Sequence, residues 1–138
     1  MNCGPNAAAS ADIVLPPTGG TITAGDATLE VPPGAVTGPT RFHLVVPAGR
    51  QFLVRASAMT ANGSAVDEFN APLTLTLHYG QHGCPRHPTT GSPKEYYSIW
   101  EVGTDGKPAK PLGGADITGK AEIQGLVGHF SGFILAQG

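Results

Sequence analysis

The sequence predicts an all-β protein, an antiparallel β-sandwich of about eight short strands. Three observations lead there. The 138 residues include 20 Gly and 13 Pro, so breakers recur every few positions and no helical period runs on uninterrupted. Between the breakers apolar and polar residues alternate, which is the period of a strand with one face buried. Asn62-Gly63 and Asp105-Gly106 supply the turn chemistry that joins such strands.

In chain order, Asp12-Ile13-Val14-Leu15 is the first apolar stretch and stops at Pro16-Pro17. Gly19-Gly20-Thr21-Ile22-Thr23 leads into Ala27-Thr28-Leu29-Glu30-Val31, which alternates up to the turn at Pro32-Pro33-Gly34. Phe42, Leu44 and Val46 share one face of the next strand, and Phe52, Val54, Ala56 and Ala58 one face of the strand after it. Asn62-Gly63 is the strongest hairpin signal and reads as a type I′ turn, because Asn-Gly tolerates positive φ at both central positions. Leu73, Leu75, Leu77 and Tyr79 alternate with Thr74, Thr76 and His78 in the clearest two-sided strand, with Pro72 at its start, where a missing N–H does least harm. Residues 80–94 show no apolar period and read as a long exposed loop. Strands resume at 96–101, 119–124 and 130–136. Leu29, Val31, Phe42, Leu44, Leu75, Leu77, Ile99 and Phe133 are the expected core, and the lone Trp100 is expected to join it.

A chain of this length needs only one core, so residues 12–138 are expected to form a single sandwich and residues 1–11 an N-terminal extension carrying Cys3. Charged residues make up 13% of the chain and the formal net charge is −2, which leaves no basic field to gather nucleic acid or an anionic membrane surface. No apolar run approaches the ~20 residues of a transmembrane segment. The opening Met1-Asn2 lacks the charged-then-apolar layout of a signal peptide, so the chain reads as a mature or trimmed form, with room for a lipid anchor upstream of it.

Cys3 and Cys84 are an even pair in a turn-rich, charge-poor chain, which fits an oxidising compartment: extracellular, cell-surface or periplasmic. A bridge between them is the expectation; it would close a loop of about 80 residues and stabilise by roughly 4 kcal/mol in the chain-entropy model. Two independent free thiols are the alternative, because pairing is not readable from spacing alone.

Three groups of residues could carry chemistry. In His129-Phe130-Ser131-Gly132 a serine hydroxyl follows an aromatic residue and a histidine. Ser131 could attack the carbonyl of Phe130 with His129 as base, cutting the chain through an ester intermediate. The plainer reading makes Phe130 a packed aromatic at the start of the last strand, Ser131 a backbone-bonded hydroxyl and His129 a solvent-facing side chain. The second group, His78, His82, Cys84 and His87, has the order His-x-x-x-His-x-Cys-x-x-His, borderline-soft ligands for zinc or copper. Oxidation of Cys84 would remove its thiolate and leave His78, His82 and His87; solvated histidines and no cofactor are the plainer expectation. The third is aromatic: Tyr96, Ser98 and Trp100 share one strand face, Tyr97 and Ile99 the other, so one set is exposed to a sugar or protein partner unless Trp100 is core. Asp67 and Glu68 are adjacent and point apart in a strand, which speaks against a paired acid and base. The sequence has no phosphate loop, no Gly-x-Ser-x-Gly elbow and no His-Glu-x-x-His, so a turnover enzyme is not expected.

Gly19-Gly20, the segment Val31-Pro32-Pro33-Gly34-Ala35 and His129-Phe130-Ser131-Gly132 together resemble the ZU-five domain, the β-sandwich of zonula occludens proteins, ankyrins and netrin receptors. The similarity runs from about Asp12 to Ala136 and is greatest to stand-alone bacterial surface or lipoprotein versions. The resemblance implies a sandwich fold, and in some relatives self-cleavage between Phe and Ser. It brings no death domain or tandem partner sandwich, so no signalling role comes with it. The function expected is a non-enzymatic structural or adhesive module, a surface or filament subunit whose partners are another protein or copies of itself. A self-processing domain and a His/Cys metal-binding protein are the alternatives.

Overall fold

The computed structural model describes residues 3–4, 6–66, 68–84, 97–103, 107–117, 121–130 and 132–137. These form eleven strands: β1 (Ala9–Leu15), β2 (Gly20–Ala24), β3 (Ala27–Val31), β4 (Thr40–Val46), β5 (Leu53–Thr60), β6 (Glu68–Leu77), β7 (Tyr97–Val102), β8 (Pro108–Gly113), β9 (Ala115–Ile117), β10 (Glu122–His129) and β11 (Gly132–Gln137). They make two antiparallel sheets, a six-stranded one in the order β1-β4-β5-β11-β7-β8 and a five-stranded one in the order β2-β3-β6-β10-β9. The all-β antiparallel sandwich is therefore the fold, with more strands than the about eight the alternation marks.

The surplus has a physical origin. Pro108 to Gly113 and Ala115 to Ile117 carry no period-two pattern, yet β8 pairs with β7 and β9 with β10 at the sheet edges, where one face is never required to be apolar. The strand expected at 119–124 instead runs from Glu122 to His129, so its apolar set is Ile123, Gly125 and Val127 facing Leu77, Leu75 and Leu73 of β6. Phe130 precedes the last strand rather than opening it.

All eight residues expected in the core are buried, together with Leu15, Ile22, Phe52, Val54, Leu73, Ile123 and Leu135. Their burial follows from the register: Leu29 lies opposite Leu75 and Ala27 opposite Leu77, so period-two apolar sets of neighbouring strands meet on one face. Trp100 is an exception to the expectation. Tyr97 and Ile99 take the inner face and Tyr97 packs edge-on against Tyr79 with ring centroids 4.7 Å apart. Trp100 therefore lies on the outer face, opposite Ile134 and Pro111, and is only half-buried.

The Gly19-Gly20 and Pro-Pro motifs acquire reasons here. Gly19 has a φ of 85°, and a Cβ on it would lie 2.1 Å from the Val31 carbonyl oxygen, so no other residue fits beside the end of β3. Gly34 N donates to Pro17 O at 2.9 Å and Gly19 N to Pro16 O at 2.8 Å, which ties the two Pro-Pro turns to each other.

The hairpin at Asn62-Gly63 is not the expected type I′ turn. Asn62 does not have positive φ, Gly63 does at 88°, and Gly63 N donates to Thr60 O at 3.0 Å. This is a type I turn over Ala61 and Asn62 followed by glycine in the left-handed region, the three-residue hairpin loop. The two-residue hairpin loop occurs elsewhere, at Gly25-Asp26 between β2 and β3, where Gly25 alone has positive φ as a type II′ turn requires.

Candidate functional site

Residues singled out for chemistry gather at opposite ends of the sandwich. Antiparallel pairing puts the start of β6, the end of β10 and the end of β7 at one end; the end of β6 and the start of β10 are at the other.

At the first end, the β10 pairing with β6 shifts register between Val127 and His129, so His129 comes to face Glu68. The imidazole Nε2 of His129 lies 3.0 Å from Oε1 of Glu101 on β7, a contact that bridges the two sheets. His129 is thus partnered, not simply solvent-facing. Phe130 packs against the core in an aromatic trio: its ring centroid is 4.7 Å from that of Phe69 and 6.0 Å from that of Phe42, both edge-on. That contact fits the packing reading of Phe130. Ser131 lies outside the described residues, as does Asp67, so the nucleophile's geometry is no part of the described site. The same end holds a cleft of about 520 Å³ between the β3–β4 connection and the β5–β6 hairpin, lined by Thr37, Thr40, Asn62, Val66, Glu68 and Asn70 among others.

At the second end, Cys3 and Cys84 are bonded across a sequence separation of 81, and both are buried, 3% and 5% exposed. The bridge holds the N-terminal segment down through backbone bonds: Cys3 N donates to Arg50 O, and Gly4 N to Gly83 O at 2.8 Å. Asn6 adds a side-chain bond, Nδ2 donating to His82 O at 2.7 Å. The beginning of the expected exposed loop accordingly turns His82 and Cys84 inward, while Gln81 and Gly83 stay exposed. His82 is 2% exposed, its ring stacked on Phe52 at 3.9 Å between centroids and its Nδ1 3.1 Å from Oδ2 of Asp26. Its Nε2 is buried with no hydrogen-bond partner. If Nδ1–H is the donor to the carboxylate, a neutral ring would leave only an unused lone pair there, a smaller penalty than an unpaired N–H.

The ligand set read as His-x-x-x-His-x-Cys-x-x-His loses Cys84, whose sulfur is in the bridge. His78 and His82 each turn to a separate carboxylate, His78 Nδ1 to Glu122 Oε2 at 3.0 Å. His87 lies outside the described residues, among which no group of three His, Cys, Asp or Glu side chains is placed to hold a metal. The residues that sequence reasoning missed are Glu101, Asp26 and Asn6. Glu101 and Asp26 stand 28 and 56 positions from their histidines, and a strand period reports faces, not cross-sheet neighbours. Gly25-Asp26 was a legible hairpin signal and would have placed Asp26 at a turn.

Compared with known proteins, the chain matches no protein-family model and no curated protein.

Proposed function

We propose that the chain is a non-enzymatic, ZU-five-like β-sandwich that works outside the cytoplasm as a structural or adhesive module, its partner another protein or a second copy of itself. The observation that supports the location outside the cytoplasm is the buried Cys3–Cys84 bridge. A bridge that joins distant segments of a folded core persists where thiols are oxidised and is rare where glutathione keeps them reduced. The reading is tested in the source cells by alkylating free thiols before lysis and by adding protease to intact and to outer-layer-permeabilised cells. An oxidised pair and digestion without breaching the cytoplasmic membrane are expected. Two free thiols and protection until that membrane is broken would overturn the proposal.

The His129–Glu101 pair favours a second reading, self-processing at the Phe130–Ser131 bond. If Nε2–H donates to Glu101, Nδ1 of His129 carries the lone pair, and a carboxylate-held imidazole is the kind of base that takes a proton from a serine hydroxyl. Attack by Ser131 on the Phe130 carbonyl would give an ester that water opens, leaving residues 132–137 of β11 bound by sheet hydrogen bonds to β5 and β7. The denatured intact mass decides it: two fragments in wild type and one chain in Ser131→Ala support cleavage, and one intact chain in wild type after prolonged incubation at neutral pH rejects it.

A further inference from the structure

The β5–β6 hairpin holds a chemistry that neither reading uses. Asn62-Gly63 sits at its exposed tip. An asparagine followed by glycine is open to attack on its side-chain amide by the next backbone nitrogen, because glycine has no Cβ to crowd the five-membered ring that forms. Four hydrogen bonds converge here on Thr60, the first its own N–H donating to Ser64 O at 2.8 Å. Gly63 N donates to the Thr60 carbonyl at 3.0 Å, and Ser64 N donates to Thr60 Oγ1 at 3.1 Å. The Thr60 hydroxyl in turn donates to Asn62 Oδ1.

We infer that Asn62 is a latent deamidation site and that Thr60 holds it in check. The reaction needs the Gly63 nitrogen to lose its proton and bond to Cγ of Asn62. In the closed turn that N–H is engaged by the Thr60 carbonyl, and the amide oxygen is tethered to the Thr60 hydroxyl, so neither partner is free to approach the other. When the turn opens, the Gly63 proton leaves to water and the N–Cγ bond forms. The Cγ–Nδ2 bond then breaks and the nitrogen departs as ammonia, taking its extra proton from water. Water opens the resulting succinimide at one of its two carbonyls, giving aspartate or an isoaspartyl link at position 62. The net change consumes one water and releases one ammonia, with no change of oxidation state.

The product differs in charge and in backbone. Asn62 and Glu68 line the same cleft, so a new carboxylate adds like charge there. An isoaspartyl link puts an extra methylene into a three-residue loop whose closure sets the register of Met59 against Ala65. Thr60 thereby governs how long position 62 stays uncharged in the wall of the cleft.

The test incubates full-length protein at mildly alkaline pH and follows position 62 by peptide mass and by isoaspartate-specific methyl labelling. Folded wild type, folded Thr60→Ser, folded Thr60→Val and urea-unfolded wild type are compared. The expected order is slow conversion in wild type and Thr60→Ser, conversion roughly tenfold faster in Thr60→Val, equivalent to about 1.4 kcal/mol of barrier, and fastest conversion in the unfolded chain. Equal rates in folded wild type and folded Thr60→Val would overturn the assignment, as would equal rates in folded and unfolded wild type. A second measurement needs no substitution: in wild type, Gly63 amide exchange and Asn62 conversion should rise together with urea below the unfolding transition. Conversion that rises while the Gly63 amide stays protected also overturns it.

Discussion

At the end of the sandwich where β6 leaves its sheet, the chain is fastened covalently and its histidine His82 is buried; where β10 passes toward β11, the contacts are non-covalent and half exposed. The fastened end joins Cys3 to Cys84, encloses His82 between Phe52 and Asp26, and ties Asn6 to the His82 carbonyl. The open end relies on the Phe42–Phe69–Phe130 rings, the His129–Glu101 pair and the glycine-proline turns at Gly19 and Gly34. Both ends close the same two sheets, but by different means. Enclosing the histidine and excluding water from its ring takes a fixed lid, which the bridge supplies. At the open end the histidine keeps contact with solvent, its side chain 43% exposed beside Glu101.

Four measurements break or sharpen this contrast. Removing the bridge by Cys3→Ser with Cys84→Ser should have the largest effect, a loss of roughly 4 kcal/mol in chemical denaturation at unchanged fold. A loss under about 1 kcal/mol would mean that the buried contacts alone hold that end. Truncating His82 to Ala at the same end should cost about 2–4 kcal/mol, since a stacked, buried ring leaves a cavity and its removal strands Asp26. At the open end Gly19→Ala should cost about 2–3 kcal/mol, because the added Cβ meets backbone at Val31 and the φ is one that alanine resists. If that loss exceeds the loss from removing the bridge, the open end is the more rigid and the contrast reverses.

The smallest effect is electrostatic. The Arg41 guanidinium, hydrogen-bonded to Asp12 Oδ1 at 2.6 Å, holds the Asp12 carboxyl below its ordinary value, with His43 adding to the pull. A carboxyl depressed in the folded state stabilises above its unfolded value, and that stabilisation disappears as pH falls through the folded one. Asp12→Asn should therefore lower stability slightly at neutral pH, and the difference should vanish well below the carboxylate range and shrink in high salt. A difference that persists in strong acid would assign Asp12 a role other than this exposed pair.

Much of the fold was legible along the chain. Leu73, Leu75 and Leu77 alternate with threonine and all are buried, as are Phe42 and Leu44, because a strand's two faces are written in a period of two. The edge strands β8 and β9 were not legible, since an edge accepts sequences without that period. The Asn62-Gly63 turn was placed correctly but given the wrong type, because the dipeptide fits either loop and the pairing of Thr60 with Ser64 chooses between them. The candidate sites divide in the same way. His129 and His82 stand out as residue types, but Glu101 and Asp26 do not, for one comes from another strand and the other from a distant hairpin turn.

By itself, then, the order of residues determined the all-β class, the buried face of each well-patterned strand and the two sulfurs available for a bridge. Those are properties of local chemistry and of a repeat two residues long. Only the tertiary structure decided that Cys3 reaches Cys84, that His82 is enclosed while His129 stays half exposed, and that Trp100 turns outward. Each of these depends on which strand lies beside which, and that neighbour relation is set by sheet order and register across separations as long as 81 residues.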